Sequence, residues 1–118
     1  MELVAFVGGD KENWREITGV MNRLECDKIV IVKDKKVSGF PNSLKTRVVD
    51  VDSGAPLMEL KSEMMSKIKK ELMGDFEVAL SLASGNGKEH MALISALLSI
   101  PVGIRLVVFT KKGVEFVN

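Results

Sequence analysis

The chain has 118 residues, 46% of them apolar and 28% charged, which fits one compact domain with a core of ordinary size. Its formal net charge is +1, so no overall basic field argues for bulk binding of nucleic acid, and any anion site must be local. A single cysteine, Cys26, excludes an internal disulfide and a cysteine-based zinc site and reads as a small helix-end hydrophobe.

Met1 leads straight into an apolar strand over residues 2–7, without a charged leader or cleavage site, so no signal peptide is expected and the location is expected to be cytoplasmic. The longest uncharged run, residues 91–104, is too short to span a bilayer and is broken by Pro101. Gly8-Gly9 closes the first strand. A helix is predicted from Asp10 or Lys11 to Leu24, with Trp14, Ile17, Met21 and Leu24 on one stripe. Residues 28–32 read as a second strand, in which four successive β-branched residues, Ile29 to Val32, indicate cover on both faces. A polar loop follows, and its Lys33-Asp34-Lys35-Lys36 run, with Lys45 and Arg47, reads as solvated. The third strand is expected over residues 46–51. A helix over residues 56–73 begins with Pro56 and ends at Gly74, burying Leu57, Leu60, Met64, Ile68 and Leu72. Residues 76–82 form a fourth apolar strand. After the third helix, two β runs at 103–110 and 114–117 flank Lys111-Lys112-Gly113, the mark of an antiparallel hairpin.

Alternating strands and helices predict one α/β domain over residues 1–118: a Rossmann-like, doubly wound, mostly parallel sheet of about six strands ending in a C-terminal β-hairpin. Ligands in such sheets sit beyond the carboxyl ends of the strands where strand order reverses, here between strands one and four. The turn after strand four, Ser84-Gly85-Asn86-Gly87-Lys88, joins a strand to a helix. It offers backbone N–H groups at a positive helix end, with Lys88 as a point charge, which suits an anion. Gly8-Gly9 is expected to face the same crevice. The alternative is a plain turn with a capping serine or asparagine.

The third helix, residues 89–99, is apolar all round. Met91, Ile94, Leu97 and Leu98 lie on one side, Leu93, Ala96 and Ile100 on the other, and only Ser95 and Ser99 interrupt. Such a helix needs two covers, so a homodimer through helix three is expected.

Several chemistries lack their motifs. Gly87-Lys88 is followed by Glu89 and Leu82 stands where the first glycine belongs, so the nucleotide P-loop pattern fails. Gly8-Gly9-Asp10-Lys11-Glu12-Asn13 lacks the third glycine of a dinucleotide fingerprint. Asp50 and Asp52, at alternate positions, could hold magnesium with help from Asp10, or simply form an acidic turn. A receiver-like phosphoacceptor reading borrows Asp52, Ser81 or Ser84, and Lys111, but that arrangement wants an acidic pair after strand one and a helix after strand five. His90, the only histidine, reads as a surface or interface residue, with acid–base work as the alternative. No metal and no cofactor are expected.

A strand-one turn, a small-Gly-x-x-Lys turn after strand four, a following helix carrying Met91-Ala92-Leu93, and a terminal hairpin together resemble the CARF domain, the CRISPR-associated Rossmann fold. The resemblance covers essentially the whole chain. It is most specific over residues 82–98, where Ser84-Gly85-Asn86-Gly87-Lys88 stands for the family's frequent Thr-Gly-Gly-Thr-Lys. It implies a homodimer that binds a cyclic oligoadenylate, usually the tetramer, on its two-fold axis in CRISPR type III antiviral signalling. Carried over by position, Gly8, Gly9, Asp10, Lys11 and Asn13 line one wall, and Ser84, Gly85, Asn86, Gly87 and Lys88 the other. Most members of that family fuse this domain to a nuclease or DNA-binding effector; this chain ends at Asn118, so a standalone member without direct DNA binding is expected. That leaves three roles open: a metal-independent ring nuclease, a non-catalytic sensor or sink, or a Rossmann-like dimer for another nucleotide or phosphate ligand. For the nuclease, the catalytic candidates are Lys88 for charge stabilisation and Ser84 or Asn13 for orienting the ribose.

Overall fold

The computed structural model describes residues 1–74 and 76–118. The elements run in the order β1 (Glu2–Val7), a 3-10 turn (Lys11–Asn13), α1 (Trp14–Arg23), β2 (Lys28–Asp34), β3 (Thr46–Val51), α2 (Leu57–Glu71), β4 (Glu77–Ser81), α3 (Gly87–Leu98), β5 (Gly103–Thr110) and β6 (Gly113–Phe116). They build one six-stranded sheet of order β3-β2-β1-β4-β5-β6. All neighbours pair in parallel except the β5–β6 hairpin, as the Lys111-Lys112-Gly113 turn predicts. The reversal of strand order falls between β1 and β4, where Glu2 to Ala5 lie in register with Val78 to Ser81. The fold is Rossmann-like α/β.

Two apolar layers enclose the sheet. On one face, Val4, Phe6, Val30, Val32 and Leu80 pack against α2 through Leu60, Met64 and Ile68, and against α3 through Ala92, Leu93, Ala96 and Leu97. On the other, Leu3, Ala5, Ile29, Ile31 and Val107 pack against α1 through Trp14, Ile17 and Val20, with Cys26 buried beside them. Alternate residues of β1 therefore serve opposite layers, which is why the strand is apolar from Leu3 to Val7 and buried throughout. Helix α1 approaches β5 closely: a side chain starting at Gly19 would lie 2.6 Å from the Phe109 ring. No helix among the described residues is long and apolar enough to cross a membrane.

The element boundaries depart from the sequence expectation where side chains reach across the fold. Strand β2 runs two residues further, to Asp34, because Lys33 and Asp34 continue the ladder with Asp50 and Val51. The first helix does not begin at Asp10 or Lys11. A 3-10 turn intervenes and α1 starts at Trp14, since the Asp10 carboxylate is drawn to the β4–α3 turn and caps nothing of its own. Helix α3 starts at Gly87, two residues earlier than expected, because Asn86 and Glu89 form a capping box.

The expected double-sided apolar character of α3 resolves into one buried and one outward face. Leu97 belongs to the core, fully buried with Leu93 and Ala96, rather than to the outer side with Met91 and Leu98. The outward stripe is Met91, Ile94, Ser95 and Leu98, with Met91 59% and Leu98 71% exposed. It forms an open, largely apolar depression of about 430 Å³ headed by Gly87 and His90.

Candidate functional site

At the carboxyl ends of β1 and β4 the two glycine turns meet, as the topology requires. Gly8 N–H donates to Ser84 Oγ at 2.8 Å, and Ser84 donates its hydroxyl proton to Asp10 Oδ1 at 2.5 Å. Gly85 N–H donates to both Asp10 oxygens, at 3.1 and 3.2 Å, and Asn13 Nδ2 donates to Asp10 Oδ2 at 2.7 Å. The Trp14 indole N–H fixes the other side of the loop by donating to the Gly8 carbonyl at 2.9 Å. The protein's own carboxylate thus fills part of the crevice between the turns.

Gly85 can present its N–H to Asp10 because its φ of +102° lies in the left-handed region, and a side chain starting there would sit 2.6 Å from the buried Phe6 ring. Gly85→Ala therefore meets both backbone strain and a clash with a residue that has nowhere to go. The expected cost is about 2–3 kcal/mol, read as a fall of about 10 °C in melting temperature.

Partial burial pushes the Asp10 carboxyl up, but the hydrogen bonds from Ser84, Asn13 and Gly85 together outweigh it and hold the group below the ordinary carboxylate range. A carboxyl whose pKa is lower folded than unfolded contributes stability above its unfolded value, near pH 4, and loses it as the pH falls through the folded value. Asp10→Asn is accordingly expected to weaken the acid dependence of stability below about pH 4, measured by denaturant unfolding across that range. A pH dependence identical to that of the unaltered protein would mean that the contact does not form in solution.

The capping box commits two further donors of the β4–α3 turn: Asn86 N–H to Glu89 Oε1, and Glu89 N–H to Asn86 Oδ1, both at 2.9 Å. The N–H groups of Gly87 and Lys88 have no hydrogen-bond partner among the described residues. They are the orphan donors of the first turn of α3. Lys88 and His90 leave the helix about 200° apart. Lys88 Nζ donates to the Ala55 carbonyl at 2.8 Å, in the loop before α2, and is exposed. His90 Nε2 lies 2.6 Å from the Ser84 carbonyl, which can only accept, so this nitrogen carries the proton.

The sequence-predicted residues fall into three groups. Gly8, Asp10, Asn13, Ser84 and Gly85 are brought together in one hydrogen-bonded junction. Ser84 is fully buried, with its oxygen both donating and accepting, so it presents no free polar atom for orienting a ribose in this conformation, whereas the exposed Asn13 gives its Nδ2 to Asp10 and keeps its Oδ1 without a partner among the described residues. Gly9 and Lys11 are exposed on the rim, Lys11 with its ammonium 5.6 Å from the Trp14 ring centre. Asn86 caps α3, while Gly87 and Lys88 supply the open donors.

Asp50 and Asp52 are engaged elsewhere. Asp50 pairs with Lys33 at 2.6 Å, and Asp52 Oδ1 accepts from Gly54 N–H at 3.0 Å, as in the acidic-turn reading. Asp10, Asp50 and Asp52 are not clustered, and no group of three or more His, Cys, Asp or Glu among the described residues could hold a metal ion. The sequence reading missed Glu89, Trp14 and Ala55 as parts of this end of the sheet. The Asn86-x-x-Glu89 spacing is a legible capping signal. The Trp14 and Ala55 contacts carry no local signal, being set by tertiary packing.

Fold and junction together define a class: a Rossmann-like α/β protein with a donor-rich turn at the β1/β4 switch point. No protein-family model matches the chain, and no curated protein matches it.

Proposed function

We propose that the chain binds a phosphate-bearing ligand at the start of α3, and that this ligand is a cyclic oligoadenylate held between two copies, as in the CARF domains that its sequence resembles. The ring would be cyclic tetra-adenylate, acting in type III CRISPR antiviral signalling in the cytoplasm. One observation carries the reading: the unpartnered amides of Gly87 and Lys88 lie at the start of α3, at the head of its outward apolar stripe, and the Lys88 ammonium is exposed beside the Ala55 carbonyl. A helix N-terminus with open N–H groups favours phosphate, and the stripe favours a second copy.

The reading constrains the dimer. Helix α3 has 12 residues and is about 18 Å long. Two copies packed antiparallel would put their N-termini at opposite ends, so a shared ring needs a two-fold axis running roughly along the helices. In a background without Cys26, single cysteines at Met91 and at Leu98 are each expected to form disulfide-linked dimers. Cross-linking of Met91→Cys only to Leu98→Cys would indicate the antiparallel arrangement instead.

For cleavage, the ribose 2′-oxygen would bond to its neighbouring phosphorus while the bond from phosphorus to the 5′-oxygen breaks. The 2′-hydroxyl proton leaves, the 5′-oxygen gains one, and a 2′,3′-cyclic phosphate remains. Lys88 would stabilise charge on the phosphorane, and the protein would hold the attacking oxygen in line. The commitment of the buried Ser84 hydroxyl to the Asp10 junction favours the second reading, a sensor or sink that binds without turnover. Incubation with labelled cyclic tetra-adenylate in chelator, followed by chromatography, separates the two. Linear products ending in cyclic phosphate mark the nuclease, intact ring retained in stoichiometric amount marks the binder, and free ring refutes both.

A further inference from the structure

We propose that Asp10 is a displaceable latch: its carboxylate occupies the crevice between the β1 and β4–α3 turns as a ligand phosphate would, and an arriving phosphate must take over its donors to open the crevice. The proposal rests on the reading that this turn receives a phosphate. Carboxylate and phosphate oxygens compete for the same N–H and O–H groups. Here the Gly85 amide, the Ser84 hydroxyl and the Asn13 side-chain amide converge on one carboxylate within 2.5–3.2 Å. While Asp10 stays, its charge also opposes a phosphate at the neighbouring Gly87 and Lys88 amides.

The segment that carries Asp10 is a tight turn at the mouth of the crevice. Asp10 is the central residue of an inverse γ-turn, with φ −79° and ψ 74°, closed by Lys11 N–H donating to the Gly9 carbonyl at 3.0 Å. Gly9 before it is exposed, and nothing lies within 4 Å of where its side chain would begin, so the solvent side of the turn is open. Gly8 stays behind, anchored by the Trp14 indole. Release of Asp10 frees the Gly85 N–H and the Ser84 hydroxyl for the ligand.

The test uses the full chain as Asp10→Asn and Asp10→Ala. The Asn variant removes the charge while its amide oxygen can still accept from Gly85, so it guards against simple misfolding in the Ala variant. Amide resonances are followed on titration with inorganic phosphate, and affinity for cyclic tetra-adenylate is measured by calorimetry. The Gly85 amide is expected to shift with phosphate in both variants but not in the unaltered protein at the same concentration. Affinity for the ring is expected to rise about tenfold, a coupling of ordinary size. Unmoved Gly85 resonances with equal or weaker ring binding would make Asp10 a purely structural clamp and overturn the latch. If the ring binds to none of the three proteins, the ligand assignment fails by itself, and the phosphate response of Gly85 alone decides the latch.

Discussion

Leu97→Asp is expected to unfold the protein, whereas Leu98→Asp one residue away is expected to leave it folded and to break up the proposed dimer. Leu97 is fully buried among Leu93, Ala96 and the sheet, so an aspartate there is an uncompensated charge in the core. Its cost exceeds about 4 kcal/mol, a large part of the total stability of a domain of this size. Leu98 is 71% exposed on the outward stripe, where a polar substitution changes stability by about 0.5 kcal/mol or less. In a two-fold dimer each substitution occurs twice and sets like charges against an apolar contact, so the dimer is expected to weaken by about 100-fold or more. Circular dichroism and sedimentation on the two variants separate the effects. A folded dimer of Leu98→Asp would remove the stripe from the interface.

If the proposed ring binds as described, Lys88→Ala is expected to lower affinity for cyclic tetra-adenylate by about 10²–10⁴-fold, because each ring would lose two charge-assisted contacts of about 1.5–3 kcal/mol each. The fold should hardly notice, since the exposed ammonium gives up only its bond to the Ala55 carbonyl. Calorimetry of the variant, beside a melting curve matching that of the unaltered protein, tests this. Unchanged affinity would move the phosphate away from the start of α3.

Most of the architecture was legible because it is written in local runs. Four β-branched residues mark β2, Pro56 and Gly74 bracket α2, and Lys111-Lys112-Gly113 marks the hairpin. Alternation of strands and helices then implied that β1 and β4 meet, and they do. Two kinds of information were not local. From Met91 to Leu98 helix α3 is apolar at every position but Ser95, so periodicity could not decide between Leu97 and Leu98, and only packing on the sheet does. Asp10 finds Ser84 and Gly85 more than 70 positions away, and no spacing in the chain announces that contact. The sequence pointed to a crevice with anion-seeking donors. The fold shows which carboxylate already fills part of it, and which two amides remain open.

The most direct measurement is the binding stoichiometry of cyclic tetra-adenylate, by calorimetry joined to native mass spectrometry of the complex. The account predicts one ring held by two chains, with binding lost in Leu98→Asp and sharply weakened in Lys88→Ala. A ring bound by a single chain, or no binding by a properly folded dimer, would contradict it.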